Sequence, residues 1–496
     1  MKRITALLIL AALSFGLFSC GGGQDSGKTD ITETDSGAPE MTTASDIYYE
    51  PDSLPDLNFG GTKVNIIVRS DHYREMYSDE LTSEPVNDSI YNREKFVEDR
   101  LGVEIEVTQG NPGDMLVKQF TADEDTFQIF ADHTYNLSAT IFQGYLLDAT
   151  EIDYLDFSKP WWPDDFIDAV SLQDMLFILS GPLSLSRTRY TFATFFNKKL
   201  ANDYSYSDPR FGELYDIVER GDWTIDLVTE MTSGIFEDLN GNSERDEEDR
   251  YGIGFQTEIG LDPVWSGFGI AVLERTDDGW FSLNTKTEKM FAGLEKFRYL
   301  LHDNGGTYLT PSPDDASLYT QLATAFSGDQ LIFMVNKIEA AERPTLRNMS
   351  NDYGLLPFPK YDKEQKEYIS HSHDNQMAFG IPATNQNPNI AGAVLEAMAS
   401  YSYRETMPLY LDFALKGKYM SDAKARKSVD IVVSHLSYDP YWAYVYTLGS
   451  GFMDPYRSAL RQNDASFASI YAQKASAIKR ALTGYRLTFN TLFGEK

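Results

Sequence analysis

The chain has 496 residues and a formal net charge of −32, and no basic stripe interrupts that acidity, which excludes a surface for nucleic acid phosphates. Cys20 is the single cysteine, so no disulfide staples the chain. Thirty Tyr, thirty Phe and six Trp supply rings suited to stacking on flat apolar faces.

Met1-Lys2-Arg3 is a basic start, residues 4–17 are an apolar segment too short for a permanent membrane span, and Ser19 precedes Cys20. Leu17-Phe-Ser-Cys20 looks like a bacterial lipobox, with Phe18 bulkier than is usual there. Cys20 is therefore the expected lipidated first residue of the mature protein; an incidental cysteine in an ordinary secretory signal is the alternative. From Gly21 to about Pro55 the composition is that of a flexible spacer. No later stretch approaches the roughly 20 apolar residues of a span, so an extracytoplasmic domain tethered to the cell membrane by lipid alone is expected. The remaining length of about 440 residues suits two lobes better than one core.

Gly61-Thr-Lys-Val-Asn-Ile-Ile-Val68 reads as a strand behind a Gly-Gly turn. Ile90, Phe96, Val97 and Leu101 recur at helical spacing, which predicts a helix over 87–101 closed by Gly102. Strands at 103–107 and 127–130 flank a helix at 115–120, and this alternation begins an open α/β sheet. A helix at 136–143, a hairpin-like stretch to Gly181-Pro182 and a strand at 190–197 follow.

Asp238-Leu-Asn-Gly-Asn-Ser-Glu-Arg-Asp-Glu-Glu-Asp249 reads as a calcium loop between a helix at 223–236 and a strand at 251–255. Hard Ca²⁺ takes six to eight oxygens, and alternate positions supply them: Asp238, Asn240, Asn242, the Glu244 carbonyl, Asp246 and Asp249. Ser243 stands where the EF-hand pattern has glycine, and Asp249 where it has glutamate; a solvated acidic turn is the alternative. A strand over 326–335, another at 378–381, and helices at 391–401, 407–415, 423–435 and 467–482 complete the chain.

Taken in order, the lipobox, Val86-Asn-Asp-Ser-Ile-Tyr-Asn-Arg93 followed by Leu101-Gly-Val, Gly144-Tyr-Leu-Leu-Asp148, Phe196-Asn-Lys-Lys199, Gly221-Asp-Trp-Thr224, Tyr353-Gly-Leu-Leu-Pro-Phe-Pro359, Gly380-Ile-Pro382 and Val394-Leu-Glu-Ala-Met398 resemble a family 1 extracellular solute-binding protein, the substrate receptor of an ABC sugar importer. The resemblance implies an α/β fold of the two-lobe, periplasmic-binding-protein-like type II class, joined by crossing hinge strands. It divides the chain into a first lobe at 56–189 plus 331–382 and a second at 190–330 plus 383–496. It further implies a monomer that delivers carbohydrate, an oligosaccharide or similar solute, to a membrane permease, without catalysis.

A sugar receptor needs an aromatic platform and convergent polar groups. Asp132, His133 and Tyr135 follow a strand whose carboxyl end is where open α/β sheets bind ligands. The resemblance puts Trp161 and Trp162 near the cleft mouth; on an extended chain one would stack on ligand and the other pack inward, or both would pack. Trp265 lies in a Gly-rich loop, and the resemblance puts Tyr190 and Asn336 near the hinge; each is open to a structural or a functional role. Trp223, Trp280 and Trp442 read as packing residues. His371-Ser-His-Asp374 reads as a polar loop rather than a metal set. The rival readings are a surface glycan-binding lipoprotein outside transport, against which the early strand and helix alternation speaks, and an exported carbohydrate-active enzyme, which would show a carboxylate pair at glycosidase spacing.

Overall fold

A computed structural model describes residues 51–311, 318–412, 423–447 and 451–494. The basic start, Cys20 and most of the expected spacer lie outside them, as does the end of the helix expected at 407–415. The last spacer residues are tied down, because Arg100 donates to the carbonyls of Leu54 and Pro55 at 2.9 Å each.

The described strands run in chain order β1 (Thr62–Arg69), β2 (Val103–Gly110), β3 (Ile129–His133), β4 (Phe192–Asn197), β5 (Phe236–Glu237), β6 (Arg250–Phe255), β7 (Leu273–Arg275), β8 (Phe281–Leu283), β9 (Thr307–Leu309), β10 (Leu331–Lys337), β11 (Tyr353–Leu356), β12 (Ser370–His371), β13 (Met377–Gly380) and β14 (Leu436–Ser437). A first sheet has the order β13-β3-β1-β2, with β1 parallel to both neighbours and β13 antiparallel to β3. A second has the order β11-β4-β10-β6-β5, with β9 beside β6. β7 pairs β8, and β12 pairs β14.

The first sheet follows the expected alternation because its punctuation is strong. Glu84 caps the helix Pro85–Leu101 by accepting from the Asn87 N–H at 2.7 Å, Pro85 needs no partner for its nitrogen, and Gly102 ends the helix at φ +60°. All of β3 is buried, whereas edge strand β2 alternates between buried or half-buried and exposed residues. The helix expected at 223–236 is shorter, Ile225–Thr232, with Thr224 as its cap and Gly234 at φ +70° just beyond its end.

The strand pairing corrects the expected division of the chain. β10 is fully buried at the centre of the second sheet, antiparallel to β4 and parallel to β6, so 331–337 does not belong with the first sheet. The residues expected to begin that strand instead close the helix Leu318–Ser327, through Gly328 and Asp329 at φ +62°. β11 also joins the second sheet, against β4. The helix Pro388–Tyr401, expected in the second lobe, packs on the helix Pro85–Leu101. The final helix, Phe467–Phe493, runs past its expected end because Phe489 and Phe493 pack on Phe177, with ring centroids 5.9 and 4.7 Å away. Among the described residues, no helix is long and apolar enough to cross a membrane.

Candidate functional site

β1 and β3 are parallel neighbours, so their carboxyl ends open on one edge of the first sheet, and the chain leaving each carries the polar residues. The turn Ser70–His72 and the helix Tyr73–Met76 follow β1, while β3 ends on His133 and leads into the helix Thr134–Ile141. This placement brings His72 Nε2 to 2.9 Å from His133 Nε2. On their far sides, His72 Nδ1 lies 3.2 Å from a Glu75 oxygen and 3.3 Å from the Tyr190 hydroxyl, and His133 Nδ1 lies 2.5 Å from the Tyr135 hydroxyl. Glu75 also accepts from Tyr190 and Ser184, each at 3.0 Å, and from Arg189. His72, Glu75, His133 and Tyr190 are buried, and Tyr135 is half-buried.

Asp132 uses one carboxylate oxygen for the His133 N–H at 2.7 Å, the Asn136 amide at 3.1 Å and the Arg69 guanidinium at 3.4 Å. Its other oxygen is buried with no protein partner. Burial, together with the nearby His72 and Arg69 charges, pushes His133 down to about 3, so the ring is neutral. Burial would raise the Glu75 carboxyl, but the His72 hydrogen bond and the Arg189 charge outweigh it and hold it below the usual carboxylate value.

The segment between β12 and β13 passes the same place. His373 N–H donates to the Tyr190 carbonyl at 3.1 Å, and His373 Nδ1 lies 2.9 Å from Asp374. The Asp374 charge acts on His133 and Tyr135 from the first sheet, on Lys337 from β10, and on Tyr446 and Arg457 from the C-terminal region. The Lys337 ammonium sits 4.8 Å from the centroid of the Tyr190 ring. Tyr446, 58% exposed, meets Tyr135 edge-on with centroids 4.8 Å apart. His371 packs on Trp442 at 5.0 Å, and both His371 Nε2 and Trp442 Nε1 are buried without a protein partner. Polar atoms left open in this way suit a site that receives a polar guest.

No protein-family model matches the chain, and no curated protein does. Solved structures do match. A cyclo/maltodextrin-binding protein complexed with maltotetraose superposes with a TM-score of 0.54 at 13% identity, over 87% of this chain and 97% of that one. The galacto-N-biose-/lacto-N-biose I-binding protein of the ABC transporter from Bifidobacterium longum, in complex with lacto-N-biose, gives 0.53 at 13% identity, over 86% and 98%. A family 1 extracellular solute-binding protein from Bifidobacterium longum subsp. infantis gives 0.51 at 14% identity, over 86% and 100%. The chain has the two-lobe solute-binding-protein fold.

Within this solute-binding-protein fold, Asp132, His133, Tyr135 and Tyr190 gather as one cluster. Asn336 stands outside it: its side-chain amide oxygen accepts from the Lys337 N–H at 2.8 Å and its amide N–H₂ faces the Met334 sulfur at 3.8 Å, while its neighbour Lys337 is the residue that reaches Tyr190. Trp161 and Trp162 are both buried, and their indole N–H groups donate to the same carboxylate, Glu396, at 3.2 and 2.8 Å. The expectation of one inward and one outward ring rested on an extended chain, and the segment is instead a turn, with Trp162 N–H donating to the Lys159 carbonyl at 3.0 Å. Trp265 is buried against Tyr456 at 5.3 Å. Sequence reasoning missed His72, Glu75, Asp374 and Tyr446. The first two follow the carboxyl end of β1, where the rule that selected Asp132 and His133 applies equally.

The acidic loop joins β5 to β6 as a hairpin. Asp238 accepts from the N–H groups of Gly241 and Ser243 at 2.7 and 2.9 Å, and the side-chain amide oxygens of Asn240 and Asn242 accept from Asn242 and Glu244 N–H at 2.9 and 2.7 Å. Asp246 accepts from the Glu248 N–H at 2.9 Å, and Glu244 is exposed. Asp249 is buried and accepts from Leu239 and Asp246 N–H at 3.1 and 3.2 Å. Ser243 takes the left-handed conformation, φ +65°, that the pattern reserves for glycine.

Proposed function

We propose that this chain is the extracytoplasmic substrate receptor of an ABC importer and that it captures a carbohydrate, in particular an oligosaccharide, for delivery to a membrane permease. The observation that carries the reading is the junction of Asp132, His133 and Tyr135, at and just beyond the end of β3, with Tyr190, just before β4, and Lys337, at the end of β10, around Asp374 and beside the exposed ring of Tyr446. Solved relatives in fold are described as complexed with maltotetraose and lacto-N-biose. A guest that contacts groups from both halves at once favours the closed form by its differential affinity, and no covalent step is needed.

Cys20 serves in this proposal as the lipid attachment that keeps the receptor at the membrane. A structural calcium in the loop from Asp238 to Asp249 belongs to the same proposal. Its support is a donor set made wholly of oxygen, closed by a buried carboxylate, which suits a hard cation. Chelator-treated protein should melt lower than calcium-loaded protein, and an unchanged melting temperature removes the metal from the reading.

A thermal-shift panel of mono- and oligosaccharides tests the receptor role. A ligand at 100 times its Kd stabilises by about 2.7 kcal/mol through linkage. One saccharide class should raise the melting temperature and be recovered unaltered. A panel without any shift, or release of shorter sugars, overturns the proposal.

A further inference from the structure

We infer that Asp71, His72 and His133 form a binding site for one divalent transition cation of the zinc class. Among the described residues, this is the group of His, Cys, Asp and Glu side chains whose ligand atoms converge, all within 4.8 Å of one another. The inference goes beyond the receptor reading and does not require it.

The argument is geometric. Zinc bound to nitrogen and oxygen at about 2.0–2.1 Å in a tetrahedron sets its ligand atoms roughly 3.3 Å apart. The two Nε2 atoms are 2.9 Å apart, and His133 Nε2 is 3.7 Å from Asp71 Oδ2. These two separations bracket the tetrahedral edge, and the third, between His72 and the exposed Asp71 side chain, lies within 4.8 Å. The rings are also held as metal-binding histidines usually are, with the distal nitrogen fixed by a partner. Glu75 is an acceptor at 3.2 Å from His72 Nδ1, which places the proton there and leaves the Nε2 lone pair directed at His133. The Tyr135 hydroxyl at 2.5 Å holds His133 Nδ1 and accepts its proton when Nε2 ligates. Arg69 Nε engages Asp71 Oδ1 at 2.9 Å and leaves Oδ2 for the ion.

The Asp71 side chain is 57% exposed while the two histidines are buried, so the ion reaches the site from the Asp71 side. Imidazole and carboxylate together suit zinc, and the cage-like oxygen set of the acidic loop does not. Three protein ligands leave a fourth position, which a water or a solute oxygen fills. Without a cation the same two rings hydrogen-bond to each other and, on their far sides, to Tyr135 and Glu75.

The test uses the full chain, stripped with chelator and then titrated with Zn²⁺ by calorimetry and with Co²⁺ by visible absorption, which reports nitrogen ligation directly. One equivalent should bind with a visible Co²⁺ band. Excess Ca²⁺ should leave both signals unchanged, which separates this site from the acidic loop. His133→Gln should abolish the band, and Asp71→Asn, at a side chain 57% exposed, should weaken Zn²⁺ by at least roughly tenfold. Absence of uptake by the unaltered chain overturns the inference, as does uptake that Asp71→Asn leaves unchanged. Saccharide shifts measured on the stripped sample test the receptor role separately, so either reading fails without the other.

Discussion

Glu396 is the buried group whose behaviour is most closely fixed by its surroundings. It is fully buried on the helix Pro388–Tyr401 and accepts from Trp161 Nε1 at 3.2 Å, Trp162 Nε1 at 2.8 Å and the Asp156 N–H at 3.3 Å. Burial pushes its carboxyl from 4.5 up to about 7, and the indole and backbone donors only partly offset that rise. Between those two values the folded chain binds a proton that the unfolded chain has released. The stabilisation is therefore fully present below pH 4.5 and is lost as the pH rises to about 7. At about 1.4 kcal/mol for each pH unit, the whole displacement is worth roughly 3 kcal/mol.

Glu396→Gln removes the titration and keeps the volume. Its amide oxygen still accepts one indole, but its amide N–H₂ faces the other and leaves a buried donor unpaired, at a cost of about 1–3 kcal/mol. The variant should thus be less stable than the parent at pH 4, and by pH 8, where the parent has lost roughly 3 kcal/mol, that gap should have closed or reversed. Urea unfolding of both proteins at each pH from about 4 to 8 measures this difference directly. Glu94, raised by burial to about 7 against the pull of Arg93, and Asp439, raised by burial to about 6, act equally in both proteins and drop out. A gap that stays constant across the range refutes the reasoning.

Arg457→Met should cost about 3–5 kcal/mol in urea unfolding, because Arg457 holds the buried Asp262 with two bonds of 2.8 and 2.6 Å and its loss strands that carboxylate. Gly306→Ala should cost at least about 2 kcal/mol, since a Cβ there would stand 1.9 Å from the Thr232 carbonyl oxygen, a backbone atom that cannot swing aside. Tyr446→Ala should leave the melting temperature nearly unchanged, the ring being 58% exposed, yet weaken saccharide binding about tenfold in calorimetry if that ring is the stacking platform. Equal affinities would remove Tyr446 from the site.

The first sheet was legible because its signals are local. Pro85 and Gly102 bound the helix between β1 and β2, and β-branched residues run through β1. The apolar run of β10 was legible as a strand buried on both faces, but such a run carries no mark of which sheet it enters. Its partners, Tyr251 to Gly254 and Phe192 to Phe196, lie far away in the chain, and only long-range packing selects them. Helix ends that depend on distant contacts were misjudged for the same reason: the final helix continues through Gly484 because Phe489 finds Trp280 at 5.6 Å.

The site residues divide along a different line. Ring chemistry and the resemblance marked Trp161 and Trp162, and a place beyond a strand end marked Asp132; what separates them in the structure is whether the protein saturates their polar atoms. Three N–H donors of the chain occupy Glu396, both indole N–H groups are satisfied by it, and both rings are buried, so neither their polar atoms nor their faces are open to a guest. One oxygen of Asp132, Nε2 of His371 and Nε1 of Trp442 remain open although they are buried. An unpaired buried polar atom costs about 1–3 kcal/mol, so each of these is a place where a water or a solute atom can complete the bonding. Saturation is a property of three-dimensional neighbours, so it cannot be read from residue type or spacing, and it is what sets the tryptophan pair apart from Asp132.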